Sequence, residues 1–105
     1  MKGAHHVGET PILRFRFLDQ DDAVIDVSSA SGANTKLVYL RKPSGTVLTK
    51  TATFTTSGTD GKIQYQVLTT DFDAQGGWET WAKVVITSGT FISEEQHFDV
   101  GGVDA

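Results

Sequence analysis

The stretch Trp78-Glu79-Thr80-Trp81-Ala82-Lys83-Val84-Val85-Ile86-Thr87 decides how the chain folds. Its even positions, Trp78, Thr80, Ala82, Val84 and Ile86, carry no charge, whereas its odd positions include Glu79 and Lys83. Side chains of a strand alternate between two faces. The pattern therefore reads as one long β-strand with its even face in a core. Its odd face is unusual. Trp81 and Val85 point outward there, where an antiparallel sheet is normally polar.

The segment from Thr35 to Lys42 repeats this pattern. Val38 and Leu40 suit the core, while Leu37 and Tyr39 share the other face with Arg41. Lys42-Pro43-Ser44-Gly45 then closes a tight hairpin, because proline presets the first corner and glycine permits the exit. Thr46 to Thr55 is expected to pair back as a single strand. Leu13, Phe15 and Phe17 alternate with Arg14, Arg16 and Leu18, and Ile63, Tyr65 and Val67 alternate with Lys62, Gln64 and Gln66. Both are half-buried strands. A short strand is expected over Ala23 to Val27, after the turn Asp19-Gln20-Asp21-Asp22, and a small-residue loop over Ser28 to Asn34. Thr69 to Gly77 reads as a crossover with one helical turn, capped by Thr70 or Asp71, and with Phe72 plugging the core. Ser88-Gly89 reads as a two-residue hairpin turn, and Thr90 to Val100 as the last strand. Residues 1–9 are expected to be a flexible arm and 101–105 a frayed tail. About seven antiparallel strands at short, regular spacing predict a β-sandwich over residues 10–100. Its expected core is Phe15, Phe17, Val38, Leu40, Ile63, Tyr65, Trp78 and Val84.

Composition agrees and narrows the function. The chain has 105 residues, enough for one domain with one core. Threonine is abundant, glycine numbers 11, and helix-forming Ala-Leu-Glu runs are missing. Basic residues number 9 against 13 acidic, a net charge of −4. That balance disfavours binding to a phosphate backbone, so no nucleic-acid partner is expected. Cysteine is absent, which removes disulfides, thiol catalysis and cysteine metal sites. No apolar run is long enough to span a membrane, and Met1 to Pro11 has no signal-peptide core. The expectation is a protein that stays in the cytoplasm or leaves it without a signal.

Asp73-Ala74-Gln75-Gly76-Gly77-Trp78-Glu79-Thr80 resembles the corner before strand F of an immunoglobulin-like domain. Trp78 stands in the usual tyrosine position and Thr80 where true immunoglobulin domains place a cysteine. The indole N–H is then expected to replace the phenol as donor. More of the chain follows in order: Leu13-Arg14-Phe15-Arg16-Phe17, Asp26, Arg41-Lys42-Pro43-Ser44-Gly45-Thr46-Val47-Leu48, Gly77-Trp78 and Phe98-Asp99-Val100. Together these are similar to the immunoglobulin-like N-terminal domain of the phage baseplate upper protein family and to related small phage structural proteins. The resemblance runs from about Thr10 to Val100. It implies an immunoglobulin-like, fibronectin-like sandwich and a structural role in a virion (tail, baseplate, neck or head), assembled in the host cytoplasm. The implied partners are other virion proteins, or copies of the same chain in a symmetric assembly. That family's domain is followed by further segments; this chain stops, which favours a free-standing accessory subunit.

Nothing in the sequence assembles an active site. His5-His6 lacks the other ligands that structural zinc requires. His97 reads as an isolated surface residue. Asp19, Asp21 and Asp22 lack the calcium-loop pattern and read as an Asx turn. Asp71 and Asp73 read as a cap and a corner residue rather than a glycosidase pair. No Gly-x-Ser-x-Gly elbow occurs, and Gly76-Gly77 is a turn rather than a phosphate loop. No enzyme activity, cofactor or metal is expected. The candidate functional residues are instead the outward set: Leu37, Tyr39 and Arg41 on one strand, and Trp81, Lys83 and Val85 on the other. If the two strands are neighbours, these merge into one apolar patch edged by charge, which fits a protein interface. Two further readings are a carbohydrate- or host-surface-binding module, with Tyr39 and Trp81 stacking on sugars, and an enzyme accessory domain.

Overall fold

The computed structural model describes residues 5–30 and 34–101. Among these residues nine strands run in chain order: β1 (His5–His6), β2 (Ile12–Arg16), β3 (Lys36–Arg41), β4 (Val47–Thr51), β5 (Thr53–Phe54), β6 (Lys62–Gln66), β7 (Gly76–Ile86), β8 (Gly89–Ile92) and β9 (Gln96–Gly101). No helix occurs among the described residues. One sheet has the order β1-β9-β7-β3-β4, with β8 also on β7, and the other has the order β2-β6-β5. The two sheets form a β-sandwich. Its neighbours follow the immunoglobulin scheme, B-E-D in the small sheet and G-F-C-C′ in the large one.

Against the expected seven, three strands are gained, each for a physical reason, and one, over Ala23 to Val27, is lost. The segment expected as one strand over Thr46 to Thr55 changes sheets at Ala52, whose amide still bonds Lys36 O at 2.9 Å. Beyond it, β5 pairs with β6 in the small sheet. The last strand is split by a bulge. Between the Thr80–Gln96 and Lys83–Ile92 pairs, β7 supplies residues 81 and 82, whereas the opposite side supplies 93, 94 and 95. That extra residue lets both Phe91 and Phe98 face the core, although they are an odd number of positions apart. The start of the chain contributes the third difference. His5 and His6 pair in parallel with Val100 and Gly101, and the His5 ring packs between Phe72 and Phe98 at 5.6 and 5.2 Å. The expected flexible arm over 1–9 is thus a strand at 5–6. Residues 1–4 of it, residues 102–105 of the expected tail and residues 31–33 of the expected loop lie outside the described residues.

Other expectations are corrected locally. Ala23 to Val27 is no strand; a single bridge joins Leu18 to Val24. Thr69 to Gly77 makes a turn closed by Asp71 N–H on Leu68 O instead of a helical turn. The β7–β8 hairpin turns at Thr87-Ser88, because Ile86 pairs with Gly89. The Lys42 hairpin forms as expected. The Gly45 amide donates to Lys42 O at 2.9 Å, with Gly45 in the left-handed region at φ 98°.

All eight expected core residues are buried, joined by Val27, Val67, Phe72, Ala82 and Val100 among others. Trp78 is 1% exposed, meets Phe72 edge-on at 5.3 Å, and donates its indole N–H to Ala74 O at 3.0 Å. One charge is buried with them. Asp71, 2% exposed, accepts from the Tyr65 hydroxyl at 2.5 Å and the Leu68 amide at 2.8 Å, and faces Lys50 Nζ at 3.0 Å. Burial alone would push its carboxyl pKa up. The Tyr65 hydroxyl, the Leu68 amide and the Lys50 ammonium outweigh that and hold it below the usual carboxylate value. Burial pushes the Tyr65 hydroxyl up, and its bond to the carboxylate adds to that.

Two outcomes follow from this core. Trp78→Ala is expected to cost about 3–5 kcal/mol in denaturant unfolding, as large-to-small core changes do; an unchanged midpoint would invert the inside–outside assignment. Asp71→Asn removes a charge-assisted network and is expected to cost about 1.5–3 kcal/mol at pH 7. Because the folded-state pKa of Asp71 lies below its unfolded value, its ionised form stabilises above the unfolded value. That contribution is lost as pH falls through the folded value. The gap between parent and Asp71→Asn should therefore narrow in acid, and a gap independent of pH would exclude the ionised network.

Candidate functional site

The pairing of β3 with β7 brings the outward side chains together. Leu37 pairs with Lys83, Tyr39 with Trp81 and Arg41 with Glu79, while Val85 lies at the next outward position of β7. All six sequence candidates, Leu37, Tyr39, Arg41, Trp81, Lys83 and Val85, therefore share the outer face of the large sheet. The alternation of each strand forces this, since Val38, Leu40, Ala82 and Val84 are wholly buried on the opposite side.

At the centre, the Tyr39 and Trp81 rings stack with centroids 5.4 Å apart and planes 17° from parallel. The Arg41 guanidinium lies over the Trp81 ring, 5.1 Å from its centroid, and pairs with Glu79. Trp81 is consequently half-buried even though it points away from the core. Two strand edges extend the face beyond the expected set. Val47, opposite Arg41 on β4, is 43% exposed, and Ile92, opposite Lys83 on β8, is 66% exposed. Val47 was legible from the hairpin, whose turn fixes the register. Ile92 was not, because the bulge reverses which residues of the last strand face out.

A charged rim borders the stack. Glu79 approaches His97 Nδ1 at 3.4 Å, and His97 Nε2 lies 3.9 Å from Glu95. Possible ligand atoms of Glu79, Glu95 and His97 fall within 4.8 Å of one another. Glu79 is already neutralised by Arg41, and the imidazole divides its two nitrogens between two carboxylates. A shallow cavity of about 520 Å³ lies beside this rim, between Lys42, Pro43, Gly77, His97 and Asp99. The hairpin reaches it because Gly76 has no side chain. A Cβ there would stand 2.8 Å from Pro43 Cγ, on a backbone at φ 128°.

The residues set aside in the sequence fall elsewhere. Asp19 Oδ1 accepts from the amides of Asp21 and Ala23, which is the expected Asx turn. Asp71 is buried, whereas Asp73 is exposed and pairs with Lys42 Nζ at 2.9 Å, so the two carboxylates serve different neighbours. His5 and His6 face Glu9 at 3.5 and 3.2 Å on the far edge of the large sheet. What the outer face offers is recognition chemistry: stacked rings, a fixed cation and an apolar fringe. No family model, no curated protein and no solved structure matches the chain.

The stack has a measurable energy. A double-mutant cycle with Tyr39→Ala and Trp81→Ala is expected to give a coupling of about 0.5–1.5 kcal/mol in chemical unfolding. The half-exposed Arg41–Glu79 pair should give less than about 1 kcal/mol. A coupling near zero between the rings would mean that they share the face without stabilising one another.

Proposed function

We propose that the protein is a non-enzymatic structural subunit of a phage particle, and that it docks on other virion proteins through the outer face centred on Trp81. The observation that carries the docking surface is the Tyr39–Trp81 stack with its fringe of Leu37, Val47, Val85 and Ile92. Contiguous exposed apolar surface of this kind marks interaction sites, and interface centres are rich in Trp, Tyr and Arg inside a charged rim. Support for the virion comes from the sequence resemblance, whose quoted stretches build β2, the Lys42 hairpin, the corner before β7 and the end of β9.

A carbohydrate-binding module is the second reading, since aromatic rings also stack on sugars. The geometry favours it less. Tyr39 and Trp81 spend ring faces on each other, and Arg41 lies over Trp81. A flat face with its rings mutually engaged suits a flat protein partner better than a sugar ring.

Trp81→Ala separates binding from folding. The variant should keep a cooperative unfolding transition and the strand signature of the parent, yet lose self-association in sedimentation or incorporation into particles. Lys83→Glu, at the border of the same face, should weaken association without touching the core. Normal assembly by both variants would place the interface elsewhere. Capsid or tail genes beside the coding sequence would support the virion assignment, and an operon of metabolic enzymes would overturn it.

A further inference from the structure

Among the described residues, one edge of the small sheet has no strand beside it. There β2 pairs only with β6, and the ladder fixes which backbone groups it uses. Phe17 N–H bonds Gly61 O and Val67 N–H bonds Pro11 O, so the odd-numbered residues of this segment point their backbone groups at β6. Ile12, Arg14 and Arg16 therefore direct theirs away from it. Among the described residues their amides have no hydrogen-bond partner, and their carbonyls have one, a 3.4 Å contact from the Gln96 side chain to Arg14 O. In the four-stranded sheet of immunoglobulin domains, A-B-E-D, strand A lies on this side of B. Here β1 pairs instead with β9 in the other sheet, and the position beside β2 is a groove of about 500 Å³. Its walls are β2 and the bulged segment from Phe91 to Gln96.

We propose that the free edge of β2 is a strand-docking site that takes an extended segment of a partner protein bearing acidic residues at alternate positions. Strand addition uses the unpaired backbone groups for affinity and alternate side chains for choice of partner. The choice is set by charge. Arg14 and Arg16 are exposed on the outer side of β2 and have no ion pair among the described residues, whereas Arg41, Lys42 and Lys50 each have one. Carboxylates directly opposite them on an added strand would be stabilised, and like charges would be repelled. Glu94 and Glu95 on the far wall disfavour acids on the groove side, which leaves that side to apolar residues near Phe15 and Phe91. A second copy of β2, added antiparallel about Arg14, would set Arg14 opposite Arg14, so self-pairing in that register is disfavoured.

The test uses the whole chain and a short peptide alternating Glu and Val, with a Lys-Val peptide as its opposite. Titration to millimolar peptide followed by amide NMR should shift and protect the amides of Ile12, Arg14 and Arg16 with the Glu-Val peptide. The Arg14→Glu/Arg16→Glu variant should bind that peptide about tenfold more weakly or worse, and should prefer Lys-Val. Arg14→Pro removes an edge amide that β6 does not use, so it should fold and fail to bind. Unmoved amides at millimolar Glu-Val, equal binding of both peptides, or binding unaffected by charge reversal would overturn the site. Edge-to-edge dimers lost in Arg14→Pro would assign it to a second copy instead. Trp81→Ala should leave peptide binding intact, so this site and the outer face stand or fall separately.

Discussion

The alternation of β7 between β3 and β9 is the constraint from which the rest of the molecule is built. A slip of one residue would carry Trp78, Ala82 and Val84 to the solvent and Glu79 and Lys83 into the core. One hydrogen bond fixes the corner that leads into β7, and a second pins the register of β7 against β3. The Trp78 indole holds Ala74 O, and the Thr80 hydroxyl donates to Tyr39 O at 2.8 Å. Thr80 is wholly buried among the core residues of β7. A chain without cysteine has no covalent link between its sheets, so Trp78, Phe72 and Phe98 must hold them by packing, and the satisfied threonine adds no unpaired polar atom to that core.

Asp71 shows how the corner before β7 is fixed. A carboxylate with so little exposure is costly unless its lone pairs are met. Tyr65 reaches it from β6, Lys50 from β4 and the Leu68 amide from its own loop. The two strands belong to different sheets, so the network ties both layers to the corner that delivers Trp78. Packing alone would tolerate several loop paths between β6 and β7. One acceptor with three donors from three segments selects a single path.

Much of this was legible because period-2 alternation is a strong signal where one face is buried. The core residues and the six outward residues follow from it, whereas the adjacency of β3 and β7 is a matter of strand order that alternation does not fix. What escaped the sequence were the places where the period breaks. Ala52 lies inside what reads as an unbroken strand, and only tertiary contacts reveal that Thr53 and Phe54 have joined the other sheet. The bulge at 93–95 did leave a trace, since Phe91 and Phe98 cannot both face inward along a regular strand. Lys50 left another: it shares the inward face of β4 with Leu48, and a cation there requires a buried partner. His5 and His6 left none, because a two-residue strand is defined by the backbone it meets rather than by its own side chains.

The two exposed features of the sandwich differ in what protects them. On the outer face of the large sheet the rings sit on β3 and β7, which have neighbours on both sides, so side chains are what those strands offer there. Its apolar area is tempered by stacking Tyr39 on Trp81 and by laying Arg41 across the indole, which reduces the surface open to non-specific contact. The β2 edge has the opposite character. Its side chains Arg14 and Arg16 are exposed, and its outward amides are without a partner among the described residues. Charged residues on an edge strand are a usual defence against indiscriminate pairing. A defence made of like charges on successive outward positions is also a selector, because it repels another copy of itself in register and is cancelled by a strand of opposite sign. On the two proposals, one surface would discriminate by shape and ring chemistry and the other by charge and hydrogen-bond register. A single small sandwich can on these terms hold two different neighbours without either contact competing for the residues of the other.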